Sequence, residues 1–194
     1  MAFSPVLITP PSGAVVSIDE AKAWLWVDHD YDDVLISSMI SAAVGNLEGR
    51  NGILGRCFLT QTWRQDFAGW GAESYLRLPF SGVSAVVIKY YDGDDALQTV
   101  SSSLYQLVED ECGSYVSFLS GFSEPSVYAK PAPVQVTMTC GYGEASAVPD
   151  PIKAAIQMMV AGWYAARESV SEKQMHVVPN GVLSMLSPYR SMYV

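Results

Sequence analysis

Two histidines and three cysteines carry the nucleophilic and metal-binding chemistry open to this chain. His29 stands in the run Asp28-His29-Asp30-Tyr31-Asp32-Asp33, surrounded by carboxylates, a poor setting for a neutral general base. His176 lies in a polar stretch. Cys57, Cys112 and Cys140 are an odd number without CxxC spacing, which predicts reduced thiols rather than a zinc site or a disulfide framework. A nucleophile pair built from distant positions, for example Cys140 with His176, leaves a small cytosolic hydrolase as the alternative. No GxSxG or comparable local signature accompanies it.

The carboxylates offer one further site. Asp28, Asp30 and Asp32 mimic the opening of a calcium loop, but Asp33 stands where that loop needs glycine and Met39 where it needs a bidentate Glu. The acidic run is therefore read as a helix start with a solvated face, and no metal is expected. Gly141-Tyr142-Gly143 lacks the GxGxxG and GKS/T patterns of phosphate loops and reads as the exit of a strand. The residue chemistry thus predicts no catalytic residue, no cofactor and no enzyme.

Composition narrows the class. Eleven basic against twenty acidic residues give a net charge of -9, which repels nucleic acid unless a basic patch is segregated, and the sequence has none. No apolar run approaches the roughly 18 residues that span a bilayer, and Met1–Pro5 carry no Lys or Arg, so neither a membrane span nor a secretory signal is expected. Apolar residues at 49% exclude a disordered chain. Charged residues make up only 16%, against about 25% in ordinary domains, which suggests that part of the surface meets other subunits.

The elements that must position these residues read as helices, then strands, then helices. Residues 1–16, with Pro5, Pro10, Pro11 and Gly13, predict an extended arm. Ser17-Ile18-Asp19-Glu20 is a capping box, and the helix after it buries Ile18, Ala21, Leu25 and Trp24. A second helix starts in the acidic loop, capped by its Asp residues. It carries Ile36, Met39, Ile40, Ala43, Val44 and Leu47 on one face, and Gly49, Gly52 and Gly55 end it. Val134–Cys140 alternates apolar and polar without a break. Further strands are expected near 58–67, 74–78, 86–91, 97–101, 105–109 and 115–119, an antiparallel meander of six or seven.

Helical period returns at Asp150-Pro151 and runs through Ile152, Ala155, Ile156, Met159, Val160 and Trp163 to about Glu168. A polar linker, 169–180, precedes a short terminal helix. The helices before and after the strands must pack on each other. The expected fold is therefore α+β, a helical bundle core (1–56 plus 144–194) with an inserted antiparallel β module (57–143).

Residues 17–63 and 149–168, with the terminal Val178-Pro179-Asn180-Gly181-Val182 and Pro188-Tyr189-Arg190, resemble the head–tail connector (adaptor) proteins of tailed bacteriophages and gene transfer agents. The matching features include the Ser-capped helix with Glu20-Ala21-Lys22, Asp33 before a helix, the strand Leu59-Thr60-Gln61-Thr62-Trp63 and the Pro-led helix ending in Trp163-Tyr164. Together they cover roughly half the chain and bracket its β region. The resemblance implies a structural virion protein, assembled in the bacterial host cytoplasm. It implies a homo-oligomeric ring, typically of twelve copies, under the portal protein. Such a ring extends the DNA channel and docks a tail-side stopper or tail-completion protein. DNA passes without specific binding, and the acidic balance suits such a channel independently.

The terminal segment gathers Leu183, Met185, Leu186, Tyr189, Arg190 and Tyr193 in a stretch too short for a core of its own. Either it folds back on its own helices or it serves another chain. The linker, and an Arg190 able to pair bidentately with a partner carboxylate, favour a partner interface, with a tail held loosely until it meets the portal.

Overall fold

The computed structural model describes residues 1–71, 74–166 and 180–191. The chain is α+β. It runs β1 (Val6–Thr9), α1 (Ile18–Leu25), α2 (Asp33–Leu47), β2 (Gln61–Phe67), β3 (Tyr75–Arg77), β4 (Val83–Tyr91) and β5 (Leu97–Thr99). Then come β6 (Tyr105–Asp110), β7 (Gly113–Phe118), β8 (Val134–Cys140), α3 (Asp150–Ala166) and α4 (Asn180–Leu186).

The capping box forms as its motif predicts. The Ser17 N–H donates to Glu20 Oε2 at 2.7 Å, and the Glu20 N–H donates back to Ser17 Oγ at 3.2 Å. The Ser17 N–H and hydroxyl, both donating to Glu20 Oε2, hold the Glu20 carboxyl below its usual range. The start of α2 departs from expectation. Asp32 occupies the N-cap but makes no side-chain capping bond. Its Oδ2 accepts the Tyr164 hydroxyl of α3 at 2.6 Å instead, so a distant side chain takes the oxygen that local capping would use.

Residues from all four helices meet in one apolar cluster: Ala21 of α1, Ile36, Ile40, Ala43 and Leu47 of α2, Ile152, Ala155, Ile156, Met159 and Val160 of α3, and Val182 and Leu186 of α4. Trp163 packs at its margin, partly buried. The helical stripes of α2 and α3, more than a hundred residues apart in sequence, thus share one core.

The strands form two antiparallel sheets. The larger has the order β1-β2-β8-β4-β5 and the smaller β3-β7-β6. This corrects the meander: β8, last in sequence, lies between β2 and β4. Its burial alternates at every residue, and a strand so regularly two-faced can be paired along both edges with one side in the core. Val134, Val136, Met138 and Cys140 point into a second cluster. There they meet Phe67, Leu76, Ile88 and Val116 from both sheets. Trp70 sits edge-on to Tyr90, Phe118 and Phe122, and its indole N–H donates to Pro125 O at 2.9 Å.

The N-terminal arm is also corrected. Val6–Thr9 pairs with β2 as an edge strand. The Phe3 N–H donates to Asp66 O at 2.9 Å, and Gln65 Nε2 donates to Phe3 O at 3.1 Å. At the far end of β8, Gly141 has φ +114°, and a Cβ there would stand 2.2 Å from Leu59 O. Only glycine lets the strand leave so close to its neighbour. Among the described residues no helix is long and apolar enough to cross a membrane.

Candidate assembly surfaces

Among the described residues no group of three or more His, Cys, Asp or Glu side chains is placed to hold a metal ion. Cys140 Sγ lies 3.0 Å from Cys57 Sγ, and both residues are buried. The adjacent Cys140 thiol and burial push the Cys57 thiol up, so the thiolate needed for attack is disfavoured. Cys140 is closed to solvent, so the example pair of Cys140 with His176 has no exposed thiol. His176 lies outside the described residues. His29 stands exposed in its loop with its ring 5.6 Å from that of Tyr31. The acidic run is bridged from within: Lys22 Nζ is 2.6 Å from Asp30 Oδ1 and 2.9 Å from Asp33 Oδ1.

The terminal segment is held by its own chain, which corrects the loosely attached tail. Val182 and Leu186 are fully buried in the helical cluster, and Met185 and Tyr189 pack against it. The Ser191 N–H donates to Leu54 O at 3.1 Å. Leu183 and Arg190 face solvent. Tyr193 lies outside the described residues. The short amphipathic stretch therefore divides: one side seals the subunit and the other remains available.

A run of exposed apolar residues carries no sequence signal of its own. Trp24, Trp26, Tyr31, Val34 and Leu35 are exposed along the stretch where α1 turns into α2. Trp26 is 95% exposed and Tyr31 94%. Trp26 caps α1 in the left-handed region, φ 58° and ψ 39°. That conformation costs an L-residue roughly 1–2 kcal/mol, and here it turns an indole outward. Trp24, expected in the core, is instead half exposed. Hydrophobicity and helical spacing suggested burial; the short α1 presents that side to solvent.

At the other end of α2 the chain forms two adjoining clefts. One, of about 510 Å³, is lined by Ser4, Pro5, Glu48, Arg50, Trp63 and Phe80. The other, of about 290 Å³, shares Arg50 and Asn51 and adds Gln65 and Arg77. Glu48 Oε1 is turned inward, accepting the Phe58 N–H at 2.6 Å and Gln61 Nε2 at 2.8 Å. Burial raises its carboxyl above the ordinary value. Arg77 is committed to Asp110 through two bonds of 2.7 and 3.0 Å. Arg50 is exposed and makes no ion pair among the described residues. It stands as an unpaired cation at the rim of both clefts. No motif announced these clefts, because the segment before β1, the α2–β2 loop, β2 and the stretch from β3 to β4 build them jointly.

No family model matches the chain, and no curated protein matches it. Solved structures do. A chain of the neck of an empty GTA particle, computed with C6 symmetry, superposes with a TM-score of 0.79 at 21% identity, covering 99% of this chain and 97% of that one. A chain in the virion of a native gene transfer agent (GTA) particle matches over the same shares with a TM-score of 0.77 at 20% identity. One from the neck of a native GTA particle, computed with C12 symmetry, gives 0.76 at 20% identity over the same shares. The protein therefore has, essentially from end to end, a fold found in chains of these particles.

Proposed function

We propose that the protein is a structural head–tail connector (adaptor) subunit of a tailed phage or related particle. It forms a ring under the portal protein that extends the DNA channel and docks the tail. The observation that supports this most is the shared fold with particle-neck chains, which spans nearly the whole of both molecules. Neck structures computed with C6 and C12 symmetry suit a homo-oligomeric ring, for which we infer twelve copies. On this reading the partners are the portal on one side and a stopper or tail-completion protein on the other. The DNA passes without specific contacts along a chain of net charge -9. The protein resides in the virion, assembles in the bacterial host cytoplasm and catalyses nothing. Buried thiols and an internally bridged acidic loop support the last point.

The same reading divides the chain into a helical bundle core, residues 1–56 and 144–194, interrupted by a β module, 57–143. The apolar cluster shared by all four helices supports it. The portal contact is assigned to the terminal segment that carries Leu183, Met185, Leu186, Tyr189, Arg190 and Tyr193, with Leu183 and Arg190 on its solvent side and Leu186 anchoring the helix. Sedimentation of the protein with portal rings of the same particle tests the assignment. Co-sedimentation is expected, weakened at least tenfold by Leu183→Asp with Arg190→Glu. No binding by the wild-type chain, or binding unaffected by the double substitution, contradicts it.

A further inference from the structure

We propose that the α1–α2 corner of one copy docks into the Arg50 cleft of the next copy, and that this head-to-tail contact closes the ring. The inference rests on the ring reading above and names the surfaces that make it.

The corner is built to meet another surface. A left-handed backbone at a bulky residue is a true outlier, and such outliers mark sites where position outweighs local stability. The outlier here places Trp26 almost wholly in solvent, in the same short connection that carries the exposed Tyr31 and leads to Val34, which is 81% exposed. Exposed aromatics grouped in this way are the residues that anchor protein interfaces. The rim offers an exposed carboxylate in Asp28, while Lys22 is already occupied by Asp30 and Asp33.

The cleft has the complementary character. It is concave, of a size to take one or two aromatic side chains, with the partly exposed Trp63 in its wall, packed on the buried Phe80 behind it, and Arg50 as an unpaired cation. Glu48, its one carboxylate, faces inward to the Phe58 N–H and Gln61. An indole against the Trp63 ring with a corner carboxylate on the Arg50 guanidinium would satisfy both halves.

Geometry makes the occupant a second copy rather than the same chain. Corner and cleft lie at the two ends of α2, whose 15 residues span about 22 Å. A knob and a socket at opposite ends of one rigid element cannot meet within a subunit. Between subunits they give a heterologous contact, which closes into a ring when the rotation allows.

The test uses the full chain carrying Cys112→Ser, assembled as rings on its portal. One preparation carries His29→Cys, another Asn51→Cys, and a bismaleimide links thiols between neighbours. Rings mixed from the two are expected to give a heterotypic linked dimer at least tenfold above either alone. Adding Trp26→Asp to the first chain should abolish the link, and far-UV circular dichroism verifies that this exposed substitution leaves the fold intact. Homotypic links of equal yield, links undiminished by Trp26→Asp, or links from the corner to a tail-side protein instead overturn the contact. If the chain forms no ring on the portal, the ring reading itself fails. If rings form as well with Trp26→Asp and Arg50→Glu as without them, this contact alone fails.

Discussion

Replacing Leu186 by alanine measures whether the terminal helix belongs to the subunit. The side chain is 1% exposed and lies in the cluster with Val182, Ile156 and Met159. The substitution removes three carbons, at about 0.8 kcal/mol each some 2.4 kcal/mol of transfer free energy. The cavity left behind brings the total to about 3–4 kcal/mol, within the range of about 2–5 seen for such changes. One effect caps the loss. α4 is short and near the chain end, so it can undock as a unit, and the cost then cannot exceed the free energy that holds it down. Urea denaturation followed by tryptophan fluorescence gives the global loss. Hydrogen exchange at residues 182–191 gives the local one. In a chain of this size about 3 kcal/mol corresponds to a fall in Tm of roughly 6–12 °C. Leu183→Ala, on the solvent side of the same helix, should stay within about 0.5 kcal/mol of the parent. If Leu186→Ala changes neither the urea midpoint nor exchange in α4, the helix does not pack as described.

Three further outcomes follow from side chains elsewhere. Burial raises the Glu48 carboxyl above its ordinary 4.5, so the native state binds that proton more tightly than the unfolded chain. Its stabilising contribution is full below pH 4.5 and is lost as pH rises through the raised native value; Glu48→Gln, which keeps the acceptor for Phe58 and Gln61, should raise stability at neutral pH relative to the parent and flatten the profile there, and a loss at pH 7 refutes this. A thiol reagent should modify Cys112 quickly in the native protein, and Cys57 and Cys140 only on unfolding, since both are buried and Cys57 resists ionisation; fast labelling of Cys140 contradicts that packing. Millimolar calcium should leave the Tm unchanged within about 1 °C, because Lys22 already bridges Asp30 and Asp33; a rise of several degrees abolished by Asp30→Ala shows a metal site instead.

Local signals were the legible ones. The capping box at Ser17, the apolar stripes of α2 and α3 and the alternation of Val134–Cys140 each encode an element within a dozen or so residues, and each appears where the pattern puts it. What failed depends on distant partners. Val6–Thr9 has no alternation of its own and becomes a strand because β2 offers it an edge. The central place of β8 follows from pairings with β2 and β4, which no local pattern specifies. Asp32 was open to capping until α3 delivered Tyr164. The assembly surfaces were least legible. Trp24 read as core by residue type and spacing, and the left-handed turn at Trp26 that sets its neighbour outward has no local sequence signal. The cleft at Arg50 joins residues from the N-terminus, the α2–β2 loop and β2, so it does not exist until the fold does.

The central claim, that this chain is a ring-forming neck subunit, meets its most direct test in cryo-electron microscopy of the particle that carries it. The account predicts a closed ring of twelve copies between portal and tail, with the protein's α+β fold fitting each asymmetric unit of the density around an open channel. Absence of the chain from the neck, or its presence there as isolated copies without a closed ring, contradicts it.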